Sequence, residues 1–194
     1  MSDPLAFFLT WTTYGSWLPG DERGWTEKPG RMREPDPTRQ ATARSKMTED
    51  ELTLNVEQRE IVERTIADHC RIRGWQLHAV ACRTQHVHVV VTALSRNPEE
   101  VMDQFKAWCT RRLKEHESMK PKEPAKNGES PAWKPEAPAN EIKEGAFAGV
   151  SGLGCAKIRQ NWWTQRGSKR QLFDEDSLAA AVQYVLEGQD GGER

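Results

Sequence analysis

Two histidines and a tyrosine stand out in this chain as groups able to do chemistry. His86 and His88 alternate with valine in the run HVHVVV. Side chains on a strand point alternately to opposite faces, so His86, His88 and Val90 share one face while Val87, Val89 and Val91 share the other. The two imidazoles then stand roughly 6.5 to 7 Å apart at the backbone, near enough to converge on one ion. Tyr184 stands out for a different reason. With Leu178 set at zero and about 100° per residue, Ala181, Val182, Val185 and Leu186 form an apolar stripe, whereas Tyr184 falls near 240°. An aromatic displaced from the stripe is either a plain surface tyrosine or one placed to react. Lys106, Arg111, Arg112 and Lys114, in KAWCTRRLKEH, are able to grip phosphates or simply to solvate a helix face.

These residues need elements to position them. LAFFLTWTTY (5–14) has the aromatic and β-branched content of a strand and ends at Gly15. The Gly- and Pro-rich stretch that follows predicts a long irregular loop. Val56, Ile61, Val62, Ile66, Cys70 and Ile72 mark a helix that stops at Gly74. WQLHAVACRT and HVHVVVTAL predict two strands joined by a tight turn at Thr84 and Gln85. Asn97 as cap and Pro98 at the first helical position open a second helix, with Val101, Phe105, Trp108 and Leu113 on one side. Residues from about 117 to 154 are dominated by Lys, Pro, Ala and Glu, a composition that predicts a flexible insertion. NWWTQRGSKRQLF resumes as a strand, and a last helix runs from a cap at Asp174 or Asp176 to Gly188. The order strand, helix, strand, strand, helix, strand, helix predicts an α+β chain. Its core is a ferredoxin-like antiparallel sheet with helices on one face, an open second face and an added C-terminal helix.

At 194 residues the chain suits a single domain spanning residues 1–194. The net charge of −1 gives no overall pull toward nucleic acid, so any such affinity must be local. No apolar run is long enough to cross a membrane and no signal peptide opens the chain, which predicts a cytoplasmic protein without a membrane partner. Cys70, Cys82, Cys109 and Cys155 are scattered without a C-x-x-C pair and read as free thiols. A zinc site joining Cys82 to the histidine pair is the competing reading. The eight tryptophans serve as packing, or in part as platforms for bases.

In combination, QHVHVVV on an open sheet, QFKAWCTRRLKE on the helix after it and VQYVLEGQ on the last helix resemble the HUH single-tyrosine transposases. That family includes the REP-associated tyrosine transposases. The resemblance covers roughly residues 5–14 and 55–190, interrupted by the insertion. It implies that Tyr184 attacks a backbone phosphorus of single-stranded or hairpin DNA, giving a 5′-phosphotyrosine link and a free 3′-hydroxyl. It also implies a divalent cofactor, Mg²⁺ or Mn²⁺, at His86 and His88, and leaves a homodimer open. A phenol, with a pKa near 10, is a poor nucleophile at neutral pH, and a metal beside the phosphate stabilises the developing charge. Neutral imidazoles hold such hard ions weakly, so an oxygen ligand is needed too.

The family's third ligand is commonly a glutamine one turn after the tyrosine. Here that position is Gly188, and the glutamine follows as Gln189, with Glu187 as its rival. Tyr14, at a strand end before Gly15, is the other tyrosine and reads as a packing or turn residue. His69 and His78 read as structural. Two alternatives to strand transfer stay open: a non-catalytic DNA-hairpin binder of the same descent, and a phosphoesterase with paired H-x-T/S motifs. The single H-x-H, followed by valine, counts against the second.

Overall fold

Val87, Val89 and Val91 are fully buried, as the alternation requires, and each contributes about 1.5–3 kcal/mol by leaving water. They anchor β5 (His86–Thr92) in a four-stranded sheet of the computed structural model, which describes residues 3–27, 31–119 and 159–187. In chain order the other elements are β1 (Ala6–Thr12), β2 (Trp25–Glu27), β3 (Arg31–Arg33), α1 (Pro37–Ser45), α2 (Val56–Arg73) and β4 (Gln76–Cys82). After β5 come α3 (Pro98–Met119), β6 (Ser168–Leu172) and α4 (Glu175–Leu186). The sheet order is β4-β5-β1-β6, antiparallel throughout, which is the ferredoxin-like arrangement expected.

One sheet face carries the main core. Phe7, Leu9 and Trp11 of β1 join the three valines against Ile61, Val62, Ile66 and Cys70 of α2 and Val101, Phe105, Cys109 and Leu113 of α3. Both long helices have local reasons to start where they do. Asn55 and Gln58 form a reciprocal capping box at α2, and the Glu99 amide donates to the Asn97 side chain at the head of α3. Gly74 ends α2 at φ 67°, a left-handed conformation that a Cβ would strain. The predicted α2 stripe overreaches at its ends. Val56 and Ile72, at the two ends of the helix, are exposed. Trp108 is likewise partly exposed at the rim.

The second face is not open. α4 lies across it, with Ala181 and Val185 packed on Ala6, Ala79, Val90 and Leu172. Asp174 caps this helix by accepting from the Ser177 amide. Leu186, expected in the buried stripe, is exposed, since the helix has by then run past the apolar part of the sheet.

The predicted long loop also contains structure. β2 and β3 form a small hairpin and α1 follows, capped by Asp36. Three-residue strands and a helix with no buried residue leave almost no periodic signal. Of the predicted insertion, residues 117–119 finish α3, and residues 120–158 lie outside the described residues. The Glu49 carboxylate accepts from the amides of Gln160 and Asn161, which ties this segment to the rest of the fold. No helix among the described residues is long and apolar enough to cross a membrane.

β6 is entered through Gly167, where a Cβ would press on the Thr10 carbonyl oxygen and the Met102 sulfur. Gly167→Ala should therefore destabilise the protein by about 1–3 kcal/mol, as expected of overpacking. The urea midpoint measures this, and an unchanged midpoint would show that the close approach of this backbone is not needed.

Candidate active site

The register of β1 on β5 sets Thr10 opposite His88 and Thr12 opposite His86. The two imidazole rings lie with centroids 4.8 Å apart. Phe8, one step along the same face of β1, stacks on His88 at 5.7 Å. Tyr184 comes down from α4 edge-on to both, 5.7 Å from the His88 ring and 5.9 Å from Phe8. The tyrosine is 48% exposed although its ring touches the histidine, so it stands at the rim of the site with one side to solvent. The sheet's H-x-H pair and the one off-stripe aromatic of the last helix are thus a single cluster.

His88 is only 7% exposed. Burial, then the neighbouring His86 and Arg83, push its pKa down to about 4, so the ring is neutral at physiological pH. Its Nδ1 lies 2.9 Å from Thr10 Oγ1. When Nδ1 carries the proton and donates to that hydroxyl, Nε2 presents its lone pair, the form in which an imidazole binds metal. With Nε2 of His88 so presented beside the His86 ring, the pair suits a divalent ion. Among the described residues no third His, Cys, Asp or Glu joins it. Cys82 packs in the main core on the opposite sheet face, where burial lifts its thiol to about 12, so the zinc reading has no third ligand there. The Glu187 carboxylate accepts from the Gln183 amide. Gln189 lies outside the described residues.

The four cations of α3 are placed unequally. Lys106 is buried, with Nζ donating to the carbonyls of Thr164 at 2.9 Å and Arg166 at 3.2 Å. Its ammonium thus staples the loop before β6, and desolvation lowers its pKa to about 8. That loop borders the histidines, because Thr12, opposite His86, donates through its hydroxyl to Thr164 Oγ1. The position of Lys106 was legible: Met102, Phe105, Lys106, Cys109 and Leu113 fall on one buried stripe. Arg111 and Arg112 both pair with Glu115 at the exposed surface, and Lys114 donates to Gln160. Thr10 was missed, since only the strand register reveals it.

The remaining candidates have local partners. Tyr14 accepts the Thr48 amide through its hydroxyl, as a packing residue would. His69 bonds to Gln104 within an aromatic cluster, and His78 bonds to Thr92. Cys70, Cys82 and Cys109 are free and buried, and Cys155 lies outside the described residues. A cavity of about 660 Å³ between the β2–β3 hairpin and α1 is lined by none of the candidate residues.

No family model matches the chain, and no curated protein matches it. Among solved structures, the crystal structure of a "putative transposase" from Deinococcus radiodurans R1 is similar over 95% of this chain and 91% of that one. The identity is 13% and the TM-score 0.42. The fold assignment stands on the strand order, and the site on its own geometry.

In the metal-free protein the unfolded chain protonates His88 first, near the ordinary value of 6.5, and the folded chain only near 4. Stability should therefore fall as the pH drops through this window, by up to roughly 3 kcal/mol from this group. Urea midpoints at pH 7 and pH 4.5 measure it. His88→Asn should flatten the difference, and an equal acid loss in both proteins would contradict the assignment.

Proposed function

We propose that this protein is a metal-dependent transposase that cuts and rejoins single-stranded or hairpin DNA through a phosphotyrosine intermediate. The observation that carries the reading is the edge contact between Tyr184 and His88. It joins a tyrosine, half open to solvent, to the histidine pair of β5. A helix that merely covered the sheet would need no tyrosine at that point.

In this reading His86 and His88 hold the ion through ring nitrogens, with the Gln189 amide oxygen as third ligand. With Nδ1 engaged by the Thr10 hydroxyl, His88 would offer Nε2 to such an ion. The ion, Mg²⁺ or Mn²⁺, supplies charge stabilisation at the phosphate oxygens. Tyr184 Oη attacks the phosphorus while the bond from phosphorus to the 3′-oxygen breaks. The phenol proton passes to solvent water, and the departing 3′-oxygen takes one from solvent. The product is a 5′-phosphate esterified to Tyr184 and a free 3′-hydroxyl. Attack by a 3′-hydroxyl on the same phosphorus reverses the step and rejoins a strand, so no external energy source is consumed. Lys106 serves by holding the 164–166 loop at the rim. Arg111, Arg112 and Lys114 meet the DNA backbone beyond the reacting centre.

Incubation with labelled single strands and Mn²⁺ should give a covalent protein–DNA band. Tyr184→Phe removes only the attacking oxygen and should abolish the band while leaving the melting temperature and DNA binding nearly unchanged. His86→Ala or His88→Ala should each lower the cleavage rate at least a hundredfold, a loss comparable to deleting one stabilising group. A band that persists in Tyr184→Phe, or cleavage that is unaffected by EDTA, would overturn the reading.

A further inference from the structure

A groove of about 490 Å³ begins at Tyr184 and runs between the flank of α4 and strand β6. Phe8, Arg170, Asp176, Ser177 and Tyr184 are among its walls, and neither histidine lines it. The volume falls within the range of about 300–1,000 Å³ usual for small-ligand sites. Arg170 is exposed and shares the sheet face of Phe8, opposite which it sits in register. Among the described residues its guanidinium makes no hydrogen bond or ion pair. Asp174 at the head of α4 feels its charge through space. Its neighbour Lys169, by contrast, is paired with Glu99. An unengaged guanidinium, a carboxylate and an aromatic wall in one groove match the three parts of a nucleotide: phosphate, base amine and ring.

We propose that this groove binds the nucleotide on the 3′ side of the cut, the one left joined to Tyr184. Arg170 holds the next phosphate, and Asp176 accepts from the exocyclic amine of the base. The proposal rests on the strand-transfer reading, and the direction follows from in-line displacement. The departing 3′-oxygen leaves on the side of phosphorus opposite the attacking Oη, so that strand moves away from the tyrosine. The 5′-linked nucleotide stays with Tyr184, where the groove opens. A carboxylate beside it repels a phosphate but accepts from cytosine, adenine or guanine, and thymine has no amine to offer.

The test is fluorescence anisotropy of the full chain with labelled dC and dT 12-mers across a salt series. Arg170→Ala should weaken dC binding roughly tenfold, the value of one charge-assisted contact. It should also reduce the salt slope by about 0.7, one phosphate's share on a single strand. Arg71→Ala, which removes the same charge from α2, should change neither. Asp176→Asn should erase the preference for dC over dT. The groove assignment is overturned if Arg170→Ala behaves like Arg71→Ala, or if the wild type binds dT as tightly as dC. Formation of the covalent band is scored separately. Its absence in wild type would defeat the strand-transfer reading, while the binding series still decides whether the groove takes a nucleotide.

Discussion

The seating of α4 on the sheet is the contact on which the site depends. Ala181 and Val185 pack in one cluster with Ala6, Ala79, Val90 and Leu172, and the small alanines among them let the helix come close. That contact fixes the rotation of the helix about its own axis. With Ala181 and Val185 turned down, Tyr184 is turned to the side, where its ring meets Phe8 and His88. Were α4 rotated by one residue, about 100°, the tyrosine would point into the core or into solvent. A handful of apolar contacts thus places the Tyr184 side chain, whose hydroxyl no hydrogen bond holds among the described residues.

β5 answers to opposing demands on its two faces. Its valines on one face bury completely against α2 and α3, which holds the strand rigid and in register. The other face can then carry His86 and His88, the second of them packed against Phe8 and Tyr184. Burial of His88 keeps its ring neutral, and the Thr10 hydroxyl orients it. The same desolvation that costs stability in acid makes the ring a competent ligand at neutral pH.

Much of this was legible in the sequence. The alternation in HVHVVV gave the strand, its faces and the pairing of the histidines. The helical wheel set Tyr184 apart from the stripe. Asn97 was readable as the cap of α3, and of the two acidic candidates for α4 the structure selects Asp174. What was not legible depended on long-range register or on elements too short to be periodic. Thr10 is one of two threonines in an otherwise apolar strand until β1 is aligned with β5. The β2–β3 hairpin is too brief to alternate, and α1 buries nothing. The covering of the second face by α4 could not be read from α4 itself, because an apolar stripe does not name the surface it will meet. Lys106 is a different case. Its place among buried residues was visible, but a lysine in a basic run invited a phosphate role before a structural one.

The central claim is that His86, His88 and Tyr184 are one site organised around a divalent ion. Anomalous diffraction from crystals grown with Mn²⁺ and recorded near the manganese edge tests it most directly. A single strong peak within bonding distance of ring nitrogens of both His86 and His88, on the side facing the Tyr184 hydroxyl, is the result predicted. Manganese bound only elsewhere, with both imidazoles hydrogen-bonded to protein or water alone, would contradict it.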